Sequence, residues 1–125
     1  MSISELQIER QLEQFFAVQG WPGWRPSSRC ELELPPVSIY FEVCGGQLAS
    51  TLARPVPDSG RQQALLALLA LCRPEATQGA PLLGFLLGPR LALRCTWPPP
   101  GDIALWVGVF RQQQRLLERA ARGGG

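Results

Sequence analysis

Histidine and lysine are both missing from this sequence, and each absence closes a class of chemistry. Without histidine there is no side chain whose ordinary pKa lies near neutrality, so Ser-His, Cys-His and His-metal mechanisms are excluded together. Without lysine no GxxxxGK[ST] phosphate loop can be completed, and no GxGxxG occurs either, so neither a nucleotide nor another cofactor is expected. No run of about eighteen uncharged apolar residues exists, because the leucine-rich stretch Ala64 to Cys72 is far too short to span a bilayer. The N-terminal segment carries Glu5, Glu9, Arg10 and Glu13, which leaves no apolar core for a secretion signal and places the expected location in the cytoplasm. Cys30, Cys44, Cys72 and Cys95 form no CxxC; they read as small buried residues of a reducing compartment rather than as disulfides or metal ligands.

What remains describes one folded domain. At 125 residues, 46% hydrophobic and 18% charged, the chain can bury a sizeable core without staples. All 12 basic residues are arginine and the formal net charge is +2. They read as scattered over the length instead of forming a stripe, so nucleic-acid binding is not expected.

The organising stretch is Arg29 to Arg54. Cys30, Leu32 and Leu34 alternate with Glu31 and Glu33, and Val37, Ile39, Phe41 and Val43 alternate with Ser38, Tyr40 and Glu42, a period of two. Pro35-Pro36 and Gly45-Gly46 interrupt the pattern as tight turns, which predicts a three-stranded meander. Ahead of it, Ser2 and Glu5 fit a capping box, and Ile8, Leu12, Phe15 and Phe16 form one stripe of a helix ending near Gly20. Trp21 and Trp24 are expected to pack locally. After the meander, Asp58 or Ser59 caps a helix from about Gly60 to Cys72 whose leucines cover most of its circumference. Pro81 to Leu87 and Arg90 to Trp97 read as two strands around Gly88-Pro89. The first of these is apolar on both faces, which predicts a central or interface position. Asp102 caps a last helix to Leu117, with residues 121–125 fraying. The order α-β-β-β-α-β-β-α predicts a single α+β domain with an antiparallel sheet.

Candidate chemistry is sparse. Glu31 and Glu33 share the wet face of one strand, the pattern of solvated charge. Arg90 and Arg94 share a strand face and suit either an anion, an interface rim or plain solvation. Phe15 and Phe16 are adjacent on one helix, so either both are core or one belongs to an apolar docking patch.

The element order, with the stretches VSIYFEVCGGQLAST and LLGFLLGPRLALRCTW, resembles the small class I chaperones of bacterial type III secretion over nearly the whole chain. The resemblance implies a non-enzymatic cytoplasmic protein that keeps a secreted effector or gatekeeper partly extended. It implies a homodimer, or a heterodimer with a second small chaperone. It places the dimer contact around Leu65, Leu68, Leu69, Phe85 and Leu87, and the client groove around Leu12, Phe15, Phe16, Ile39, Phe41 and Leu48. Such chaperones are typically acidic; an acidic second chain or client would complement the positive charge here. Two other readings stand beside it: a structural subunit that dimerises within a larger assembly through the same apolar surfaces, and a small-ligand α+β enzyme, against which the missing histidine and lysine count.

Overall fold

The computed structural model describes residues 3–21 and 29–123. In chain order the elements are α1 (Ile3–Gln19), β1 (Arg29–Leu34), β2 (Val37–Cys44), β3 (Gln47–Pro55), α2 (Arg61–Leu71), β4 (Leu82–Leu87), β5 (Arg90–Thr96) and α3 (Ile103–Gly123). Short 3-10 turns stand at Asp58–Gly60 and Pro74–Thr77. The α+β order is the one predicted, and the five strands form one antiparallel sheet in the order β1-β2-β3-β5-β4.

Local chemistry explains most of the boundaries. Gly45 and Gly46 both have positive φ, +61° and +76°, as a two-residue type I′ hairpin requires, and Cys44 pairs directly with Gln47 across it. Asp102 Oδ1 accepts hydrogen bonds from the Ala104 and Leu105 amides, at 3.0 and 3.4 Å, the expected cap of α3. Two expectations are corrected. Neither Asp58 nor Ser59 caps α2: the residue at the N-cap is Gly60, which has no side chain to cap with, and the Asp58 carboxylate instead accepts from Arg61 Nη1 at 2.7 Å, three residues along. The C-terminal residues Ala121 to Gly123 do not fray but continue α3, which is docked against α2 so closely that a Cβ on Gly123 would lie 4.0 Å from that of Ala67. Ser2 and Trp24 lie outside the described residues.

The two faces of the sheet differ. Ile39, Phe41, Leu52, Leu91, Leu93 and Cys95 point to one face, and all three helices sit on it. Phe15 of α1 meets Phe41 and α3's Phe110, Leu68 of α2 lies over Gly84, and Glu118 of α3 reaches Arg54. Trp97, just past β5, is the hub of an aromatic cluster, edge-on to Phe15 at 5.0 Å, Trp106 at 5.2 Å and Phe41 at 5.8 Å. Edge-to-face pairs of this kind add stability beyond the area they bury. Within that apolar layer Gln113 is fully buried and fully bonded. Its Nε2 donates to the carbonyls of Ser50 and Leu93, at 3.1 and 2.8 Å, and its Oε1 accepts from Ser50 Oγ at 2.7 Å. The same hydroxyl accepts from Trp97 Nε1 at 2.7 Å, so the group meets the condition for a polar side chain in a core.

Among the described residues no helix covers the other face. Small residues there, Ala53 and Ala92, are nevertheless buried, because long side chains lie across them. Arg90 stands over the Tyr40 ring and donates to its hydroxyl at 2.8 Å, while Arg94 pairs with Glu42. The two arginines that suited an anion are thus engaged across the sheet. No helix among the described residues is long and apolar enough to cross a membrane.

Candidate functional site

Chemistry requires a group placed to react, and the described residues offer little. The thiols of Cys72 and Cys95 are both pushed up by burial, Cys95 to about 12, the direction opposite to that of a reactive cysteine. For Cys72 a hydrogen bond to the Gly84 backbone partly offsets the burial and ties the end of α2 to β4. All four cysteines are free; Cys95 is buried and Cys30 and Cys72 half-buried, but Cys44, expected to be buried, is exposed at the end of β2. The side chain turns outward there because it occupies the uncovered face beside the hairpin turn.

The surface that does stand out is apolar. Leu66 and Leu69 on α2 are 60% and 47% exposed, and on β4 Leu83 is 57% exposed with Leu86 and Leu87 also open. Two features of the sequence produce this. The PLLGFLL segment is apolar on both faces, and the chain places it at the edge of the sheet, where among the described residues β5 is the strand it pairs with. Gly84 then lets α2 approach: a Cβ there would come within 3.0 Å of Leu68 Cδ2 and 3.4 Å of Leu69 Cδ2. The result is one flank in which Leu86 faces the α2 side, Leu83, Phe85 and Leu87 face the uncovered side, and the backbone edge of β4 runs between them. An apolar edge with no further strand on it is a template for strand pairing or docking.

Of the five residues expected at a dimer contact, Leu69 and Leu87 are exposed on this flank and Leu65 and Phe85 are half-buried on it. Leu68 is not available: it is sealed between α2 and the sheet. Leu66, Leu83 and Leu86 are exposed beside them and are not singled out by the sequence reading, although the all-round leucines of α2 and the two-faced pattern of PLLGFLL are the signal for them. All six residues expected to line a client groove, Leu12, Phe15, Phe16, Ile39, Phe41 and Leu48, are at most 2% exposed. They form the core between α1 and the sheet and offer no surface in this state. Phe15 and Phe16 are buried together because α1 lies in a trough. Phe15 enters the Trp97 and Phe110 side, and Phe16 fills the space between Phe41 and Trp21, 5.3 and 5.2 Å away.

At the opposite edge of the sheet, β1 is paired among the described residues with β2 alone. It carries Leu34 exposed and Leu32 half-buried, beside a groove of about 420 Å³ lined by Arg29, Cys30, Glu31, Tyr40, Phe41 and Glu42. Glu33 on this strand accepts from Ser38 at 2.8 Å, and Glu31 is exposed, so the carboxylates are strand-surface charge. Among the described residues no cluster of three metal-ligating side chains occurs.

Comparison with known proteins agrees with this architecture. The family model named SsaM matches residues 5–120. The crystal structure of YbjN from E. coli superposes with a TM-score of 0.57 at 11% identity, covering 90% of this chain and 87% of that one; at that identity the likeness concerns the fold alone. No curated protein sequence gives a significant match.

Proposed function

This chain belongs to the SsaM family, a family associated with type III secretion, and we propose that it acts there as a cytoplasmic, non-catalytic chaperone for a secreted effector or gatekeeper protein. The observation that carries the reading is the family match over residues 5–120. The two open sheet edges supply the physical means. On the β4 edge a second chain, identical or a different small chaperone, covers Leu66, Leu69, Leu83, Leu86 and Leu87, removing exposed leucine from water. Along β1 an extended client segment adds as a further strand, its backbone bonding the free edge and its alternate side chains entering the Tyr40–Glu42 groove. Such capture needs no nucleotide and no bond chemistry, which suits a chain without histidine or lysine.

The test is genetic and biophysical. Deleting the gene should abolish secretion of one type III substrate while leaving that substrate's synthesis intact, and the purified chain should co-elute with it as a complex of two chaperone chains per client. Unchanged secretion of every substrate would refute the role. The same measurement by light scattering separates a lone homodimer from a pair of different chains.

A further inference from the structure

Four of the twelve arginines, Arg111, Arg115, Arg119 and Arg122, are exposed on α3. At about 100° and 1.5 Å per residue they fall within an arc of about 80° and a length of about 16 Å, so the structure assembles the stripe that composition alone had dispersed. The arc lies opposite the side that buries Trp106, Phe110, Gln113 and Leu117. The acid within this helix, Glu118, is drawn to Arg54 of β3 at 2.5 Å, and among the described residues none of the four arginines enters an ion pair. Like charges at i, i+4 disfavour a helix. The core packing of α3 therefore maintains a row of charge that the helix by itself would resist.

We propose that this row docks an acidic helical segment of a partner protein, with carboxylates repeating at the same i, i+4 spacing. The planar guanidinium fork matches a carboxylate in geometry as well as charge, and two helices laid side by side present their rows at the same pitch. A nucleic acid fits less well. The net charge is only +2, the sheet carries Glu31, Glu33 and Glu42, and no aromatic ring stands on the outer face of α3 to stack a base. A lipid surface fits less well too, because the large apolar side chains of α3 are turned into the fold and none flanks the row in the open. The proposal does not depend on the chaperone reading, since the row and its geometry are the same whatever the protein's wider role.

The experiment uses the full chain and a labelled alanine-based helical peptide carrying Glu at i, i+4, i+8 and i+11, followed by fluorescence anisotropy. The Glu peptide should bind, its Gln counterpart should not, and added salt should weaken the complex. Arg115→Gln with Arg119→Gln should weaken binding by about three- to tenfold with an unchanged circular dichroism spectrum. Arg73→Gln, exposed but off the row, should leave it as it was. Equal binding of the two peptides, no loss in the double variant, or an equal loss in Arg73→Gln would overturn the proposal. So would tighter binding, at the same salt, to duplex DNA or to phosphatidylserine vesicles.

Discussion

The two ends of this small sheet are built from different materials. Where α1 and α3 meet it, the packing is aromatic: Phe15, Phe16, Phe41, Trp97, Trp106 and Phe110 are all buried. At the α2 and β4 end the packing is leucine, and five leucines remain in the open. Both ends are strongly apolar, so hydrophobicity by itself does not distinguish them; closure does. The aromatic end has a helix above every ring and satisfies the cost of folding within one chain. The leucine end has a single short helix, held close by Gly84, and keeps a surface that only another molecule can cover.

That contrast can be broken or sharpened by substitution. The largest effect is expected from Phe15→Ala, which should lower unfolding free energy by about 3–5 kcal/mol in a denaturant titration through loss of a ring that touches five other aromatics. Gln113→Ala should cost about 1–3 kcal/mol, because it takes away the acceptor of the buried Ser50 hydroxyl and the second donor of two sheet carbonyls in a dry layer. Alkaline pH should act at the same site. Cys95 has its thiol raised to about 12 from an ordinary 9.0, so the unfolded chain releases that proton first. Stability is then full below pH 9 and falls as pH climbs toward 12, by about 1.4 kcal/mol per unit, and Cys95→Ala should flatten the slope.

At the leucine end the effects on folding shrink and those on assembly grow. Gly84→Ala forces Leu68 to shift and should cost about 1 kcal/mol, the low end for overpacking, because the atom met first is a side-chain tip. Leu83→Glu should change monomer stability by less than about 0.5 kcal/mol, yet abolish self-association or pairing seen by light scattering. A large loss of stability from Leu83→Glu would mean that the β4 flank is part of the folding core, and the comparison of the two ends would fail.

Much of this was legible because it is local. Gly45-Gly46, Gly88-Pro89 and Asp102 act within a few residues, and the strand periods show which side chains share a face. Strand order is not local. PLLGFLL has the composition of a covered strand, and nothing within it says that it lies outside β5 rather than between two neighbours. The same limit explains the residues expected to line a client groove: the strand period puts Ile39 and Phe41 on one face, but whether α1 seals that face depends on how Phe15 and Phe16 seat against Trp97 and Trp21. The arginine row failed for another reason. Its i, i+4 spacing is plain between Arg111 and Arg119, but charge taken over the whole chain averages it away.

The buried amide of Gln113 reaches further than the core it sits in. Its three hydrogen bonds engage two strands at once, Ser50 on β3 and Leu93 on β5, and so index α3 in both rotation and height. A shift of one residue along the helix would turn it by about 100°, withdraw the amide from its partners and drive the arginine row toward the sheet. An uncharged side chain at the centre of the molecule thereby sets the compass bearing of the most highly charged feature on its outside.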